Sequence, residues 1–390
     1  MKNDLSVSDD ICKSVTWQDL QGTTWGELGK YTYEQIQNIN TIIRIFHQRQ
    51  KSRSLSPDYS TQFMELKRAY NSKKLVLILG AGVSIGCGLP DWSGLLKKMQ
   101  NGIYLSGEDL EDKAFFVNKL FLKLFNRHEL VLARNLYHHS SSGLENDGCI
   151  LFEKFVRCAL YKNTEFKRSK LVEEIIRLSL DDEGKKLLDC IITCNYDDIL
   201  EHYMEENNQM NYRSIYYSET EEPGMIPIYH VHGFLPRNGD LTDKNRIILS
   251  EEAYHALYNT SNAWTNKIQL DKFIKNKCLL IGLSLNDPNL RRLLDSSKNE
   301  RNDDEFYNII QLRPKLADCR KSLKKFLKTN KDILDDKIAN NLDFEETVKM
   351  LKAEEEKFFE EDALSLGVHV IWAESEADIC KKMQQIKRDS

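Results

Sequence analysis

An excess of basic charge is the first thing this sequence lacks. Across 390 residues, 55 Lys and Arg stand against 60 Asp and Glu, for a formal net charge of −5. General nucleic-acid or anionic-membrane binding wants a basic surface, so the balance argues against both classes. No apolar run approaches the roughly 20 residues that a membrane-spanning helix needs. The stretch from Met1 to Asp9 and Asp10 has neither the basic start nor the apolar run of a secretion signal. A soluble, cytoplasmic protein is the expectation. The 9 cysteines are odd in number, and no two stand in Cys-x-x-Cys spacing. Neither a disulfide framework nor a zinc ribbon is therefore predicted, and small buried thiols are the expected state.

What is present is ordinary globular material, 41% hydrophobic and 29% charged. The length suits two or three domains, or one large domain with insertions. Five of the 18 glycines crowd between Gly80 and Gly94. Just before them, Leu75-Val76-Leu77-Ile78-Leu79 reads as a strand buried on both faces, as in a parallel sheet. Further strands are predicted at Leu188–Thr193, Cys278–Ile281, Phe306–Ile310 and Val368–Trp372. Helical stretches alternate with them, which predicts an α/β, Rossmann-like parallel sheet.

Three segments lie outside that alternation. Residues 1–60 read as a helical N-terminal extension, with Lys51–Tyr59 as its linker. Within a sheet domain of residues 61–314, Leu95–Lys186 shows helical spacing over Leu120–Leu136 and Phe152–Leu180, and reads as a helical insertion with a loop around His138–Gly148. Residues 315–390 hold helices and the last strand. There Asp343–Glu361 is a charged amphipathic helix whose glutamates read as a solvated face or a partner surface.

Four motifs carry chemistry. Gly80-Ala81-Gly82-Val83-Ser84 follows a buried strand and opens a helix. Such a turn offers free amides and a positive dipole end to a pyrophosphate, and Ser84 adds a hydroxyl. A tight strand-to-helix turn with no ligand fits the same residues. No Gly-Lys-Ser/Thr follows, so a Walker loop is excluded. Thr193-Cys194-Asn195-Tyr196-Asp197 ends another buried strand, at the edge where open α/β sheets bind ligands. Asp197 or Asp198 as a helix cap is the competing reading. In Tyr229-His230-Val231-His232-Gly233, two histidines at i and i+2 share one side if the segment is extended. No carboxylate or cysteine cluster accompanies them, so an acid/base or hydroxyl partner fits His232 better than a metal. Gly282-Leu283-Ser284-Leu285-Asn286-Asp287 repeats the logic of the first motif, with a capped loop as its alternative.

Together with Gly88-Leu89-Pro90-Asp91-Trp92, these motifs in this order resemble the sirtuin-like NAD-consuming family, and most of all the bacterial sirtuin-like NAD hydrolases of antiphage defence. The resemblance spans about Leu75–Leu294, plus the terminal strand. It implies NAD as substrate, with Gly80, Ala81, Gly82 and Ser84 at the pyrophosphate and Asp91 and Trp92 beside the dinucleotide. It implies Asn195 positioning a ribose hydroxyl or the attacking water, and Asp197 facing the nicotinamide amide. His232 would be the general base, with Gly282, Ser284 and Asn286 on the adenosine side. Two features depart from protein-deacylating sirtuins. The paired zinc cysteines after His-Gly are missing, so no metal is expected, and Trp92-Ser93 stands where an aromatic-Arg pair is usual. The resemblance therefore implies an NAD hydrolase releasing nicotinamide and ADP-ribose, a homo-oligomer, gated by assembly or by a partner such as a HerA-type ATPase or another defence sensor. The alternatives are an NAD or ADP-ribose sensor without turnover and a zinc-free deacylase. A hydride-transferring Rossmann enzyme is disfavoured, because no acidic ribose-binding residue ends a clear second strand.

Overall fold

The structure is a computed structural model. It describes residues 58–104, 129–141, 148–162, 164–260, 263–298, 300–301, 306–329 and 343–387. The expected N-terminal extension and most of its linker lie outside the described residues. The chain divides into two compact units, Asp58–Arg313 with Phe359–Ser390, and Met1–Pro57 with Pro314–Phe358.

The larger unit is built on a seven-stranded sheet of order β3-β4-β2-β1-β5-β6-β7. Its strands are β1 (Leu75–Leu79), β2 (Cys190–Thr193), β3 (Tyr212–Ile215), β4 (Ile226–His230), β5 (Lys277–Ile281), β6 (Tyr307–Leu312) and β7 (Val368–Ala373). Every neighbouring pair is parallel. This is the α/β, Rossmann-like architecture expected. The strand alternation splits the buried side chains between two layers. Leu75, Leu77 and Leu79 join one core with Ile191, Ile228, Leu279, Ile281 and Ile310. Val76 and Ile78 join the other with Cys190, Ile192, Cys278, Leu280 and Ile309. All five β1 residues are buried. Each such leucine contributes about 1.5–3 kcal/mol of transfer free energy, which is why the run is apolar without alternation.

The helices are α1 (Ser60–Asn71), α2 (Gly82–Ile85), α3 (Trp92–Tyr104), α4 (Glu129–Ser141), α5 (Gly148–Tyr161), α6 (Lys170–Ser179), α7 (Ile199–Glu206), α8 (Glu251–Asn259), α9 (Trp264–Lys275), α10 (Pro288–Lys298), α11 (Leu316–Thr329), α12 (Phe344–Ser365) and α13 (Glu376–Lys387). Between β1 and β2 the described residues are helix and loop, apart from an isolated bridge of Leu180 with Lys186. Two local expectations change. Phe152–Leu180 is two helices, because Ser169 caps a new start by accepting from Val172 N. His138–Ser141 continues α4 rather than opening a loop. The acidic α12 is not only a solvated face either, since Glu360 accepts the Trp372 indole N–H at 2.6 Å. In the smaller unit, Cys319 and Leu323 of α11 pack on Val348 of α12.

Neither β3 nor β4 is among the strands expected from the sequence. β3 is short, half-exposed and carries Arg213 and Ser214. β4 carries Pro227, which lacks the amide a central strand uses.

Candidate functional site

A parallel sheet places the ends of all its strands on one edge. The loops after β4, β2, β1 and β5, which are adjacent in the sheet, therefore bring the four motifs to one place. This is also where the strand order reverses, the usual ligand crevice of such sheets.

The glycines there serve the backbone first. Gly80 N donates to Ile281 O at 3.1 Å, and Gly82 N to Gly282 O at 2.9 Å. A Cβ on Gly82 would lie 2.7 Å from Gly282 Cα, and one on Gly282, whose φ is +69°, would lie 2.7 Å from Val83 N. The loops after β1 and β5 thus interlock at van der Waals limits that only glycine permits. The amides of Val83, Ser84 and Ile85 are also bonded, to Gly80 O and Ala81 O. This corrects the expectation of a free-amide cradle: α2 is a single turn, and its amides are taken up by neighbouring carbonyls.

The side chains form a tighter constellation. Asn195 Nδ2 donates to Gly80 O and to Ser84 Oγ, each at 3.0 Å. A carbonyl only accepts, so the amide orientation is fixed, and both amide protons are committed. What Asn195 offers a ligand is therefore the acceptor Oδ1. Ser84 Oγ accepts from Asn195, and its hydroxyl favours the ionised form of the Asp197 carboxyl. Asp197 is buried, and burial pushes its carboxyl up to about 6 against the opposing hydrogen bonds from Ser84 and Ile199 N. Its Oδ1 accepts from Ile199 N at 3.2 Å, so the capping reading holds for Asp197 as well. Asp198 instead ion-pairs with Arg237 Nε at 3.0 Å and accepts from Tyr161 Oη.

The two histidines take different partners, because β4 ends at His230 and the chain turns there. His230 is 1% exposed; its Nε2 lies 2.8 Å from Glu201 Oε1, and its Nδ1 3.3 Å from Asn195 O. Ser214 Oγ also donates to Glu201, at 2.7 Å. His232, likewise buried, has Nε2 at 3.8 Å from Asp287 Oδ2. Val231 N donates to Thr193 O and Leu235 N to Tyr196 O, which ties this loop to the one carrying Asn195. Cys194 lies on the same loop as Asn195, and burial and the Asp287 charge push its thiol up, which disfavours the thiolate.

The side chains of the other predicted residues take no hydrogen bond within this cluster. Asp91 is exposed and caps α3, accepting from Gly94 N at 2.7 Å. Trp92 packs half-buried on the core. Ser284 and Asn286 are exposed and bonded to each other through Asn286 N, at 3.4 Å. Ala81 is half-buried within the α2 turn. Sequence reasoning singled out neither the Glu201 partner of His230 nor Tyr254, whose Oη donates to Asp287 at 2.5 Å. Asp287 itself was legible only as a cap. Partners from distant helices leave no local spacing to read.

Among the described residues no group of three or more His, Cys, Asp or Glu is arranged to hold a metal ion. Among them, too, no helix is long and apolar enough to cross a membrane. No curated protein matches the chain. Residues 189–330 match the family model described as a SIR2-like domain. The matched span runs from β2 through β6 and holds Asn195, His232 and Gly282, while the Gly80–Ser84 turn precedes it. Over these residues the chain is similar to the SIR2-like domain, which points to an NAD-utilising enzyme.

Proposed function

We propose that the protein hydrolyses NAD+ at the nicotinamide–ribose bond, releasing nicotinamide, ADP-ribose and a proton. The observation that carries this reading is the acceptor-only Asn195, fixed by Gly80 and Ser84 at the same sheet edge as the buried His232. The bond to be broken has a leaving group that is already a cationic pyridinium, so expulsion needs no strong acid. What the reaction needs is an oriented ribose and a base for the captured water. Asn195 Oδ1 accepts from a ribose hydroxyl or from that water, and His232 takes the proton. Gly80, Ala81, Gly82 and Ser84 border the dinucleotide phosphates. Asp91, Trp92, Gly282, Ser284 and Asn286 border its remaining surface, and Asp197 faces the carboxamide.

On this reading the enzyme depletes NAD as an effector of antiphage defence, in the cytoplasm, held inactive until it assembles as a homo-oligomer or meets a partner. Unrestrained hydrolysis would harm its own cell, which is the reason for a gate. The test is nicotinamide release from NAD, followed chromatographically across protein concentration and with candidate partners. Asn195→Ala and His232→Ala should each lower kcat by about 100-fold or more while NAD still binds. Absence of nicotinamide under every condition, with NAD bound, would leave a sensor instead.

A further inference from the structure

Among the described residues His232 has one charged partner within ion-pair distance, and that residue is itself held from two sides. Asp287 Oδ2, 3.8 Å from His232 Nε2, accepts from Tyr254 Oη at 2.5 Å, while Oδ1 accepts from Leu290 N at 2.6 Å. The His232 and Tyr254 rings meet edge to face, with centroids 6.0 Å apart. His232 and Tyr254 are both buried, and the Asp287 side chain is 16% exposed. The loop itself is braced: Leu285 adopts a φ of +57°, and its carbonyl accepts from Arg291 Nη1 at 3.1 Å. Arg291 in turn forms a two-pronged pair with Asp362, at 2.6 and 2.8 Å.

The geometry points to Asp287 as the positioning residue for His232, with Tyr254 as the residue that positions Asp287. A carboxylate accepting two hydrogen bonds cannot swing away, so it stays beside the imidazole, favours one ring orientation and stabilises the cation formed when His232 takes a proton. The Tyr254 hydroxyl stays a donor throughout, because burial and Asp287 push it well above the usual tyrosine range. The 3.8 Å separation is long for a hydrogen bond but suits an attraction that grows as the imidazolium forms. This inference rests on His232 being the base of the proposed reaction.

Asp287 also caps α10, and the test must separate the two roles. Asn caps a helix about as well as Asp, so Asp287→Asn keeps the bond to Leu290 N and removes the charge. In the 390-residue protein, Asp287→Asn should lower kcat by about 10- to 100-fold, with KM within about twofold and an unchanged melting temperature. Tyr254→Phe should lower kcat in the same direction by a smaller factor. The ring nitrogens of His232, observed by NMR in the histidine-labelled protein without NAD and assigned against His232→Gln, should shift in Asp287→Asn. A kcat within twofold of wild type with unshifted ring nitrogens would overturn the proposal, as would a loss confined to KM. If wild type releases no nicotinamide, the hydrolase reading falls by itself, and the ring nitrogens still decide whether Asp287 positions His232.

Discussion

Replacing Asp197 by Asn offers a direct test of how deeply this carboxylate is buried. Asp197 is held among Ser84, Ile199 N and the β2 edge, and burial raises its carboxyl from the usual range to about 6. In the unfolded chain it titrates near 4. Because the folded value is the higher one, the folded state binds the proton more tightly. That contribution to stability is full below about pH 4 and is lost as pH rises through about 6. Above that, the folded protein carries an ionised carboxylate that is poorly solvated, a difference of about 3 kcal/mol relative to acid conditions. Asn keeps an acceptor for Ile199 N and has no charge to desolvate. Asp197→Asn should therefore gain about 2–3 kcal/mol relative to wild type between pH 4 and pH 8, read from urea titrations at both ends. The reasoning is refuted if the stability difference between the two proteins is the same at both pH values, because a shape or hydrogen-bond defect has no such pH dependence.

Glu201→Ala leaves His230 and Ser214 without their shared acceptor at a 7% exposed side chain, and should cost about 3–5 kcal/mol in urea unfolding. Glu201→Gln, which keeps the acceptor oxygen, should cost clearly less. Gly282→Ala places a Cβ 2.7 Å from Val83 N at a φ of +69°, and should destabilise by more than about 2 kcal/mol; unfolding at the wild-type midpoint would show that the two loops separate easily. Arg237→Lys keeps a charge beside Asp198 but loses the flat guanidinium 3.9 Å from the Phe166 ring. It should lower the melting temperature measurably despite the retained charge.

What a sequence reveals of such a fold depends on where the information lies. β1, β2 and β5 announce themselves because a strand buried on both faces is apolar at nearly every position, and β6 and β7 because each keeps an apolar run, Ile309-Ile310 and Val370-Ile371-Trp372, beside its polar residues. β3 and β4 do not, since an edge strand tolerates Arg213, and Pro227 reads as a breaker. The site divides in the same way. Gly80, Asn195 and Gly282 were legible because each follows such a strand within a few residues, and parallel strands end on a common edge; His232 was legible from its His-x-His-Gly motif instead. Glu201 and Tyr254 were not, because each reaches the edge from a helix whose own periodicity records only packing. The glycines were legible as special but not for the right reason: the sequence says that the backbone comes close to something, and the structure shows that the nearest thing is another glycine loop.

That last point changes the electrostatic argument for the site. Had the amides of Gly82 to Ile85 been free, the edge would present donors and favour an anion. With those amides bonded to carbonyls, this edge instead presents acceptors: Asn195 Oδ1, the carboxyl of Asp197, and Asp287 beside His232. Acceptors held in place by their own hydrogen bonds stabilise positive charge with little reorganisation. In the proposed reaction the positive charge moves from the pyridinium ring to the ribose as the bond opens, so an acceptor-lined edge is complementary to the reacting centre rather than to the phosphates. An excess of acidic over basic residues in the whole chain is then no obstacle to a phosphate-bearing substrate. The reacting end of the dinucleotide is its cationic end, and the groups gathered after β1, β2, β4 and β5 suit that end.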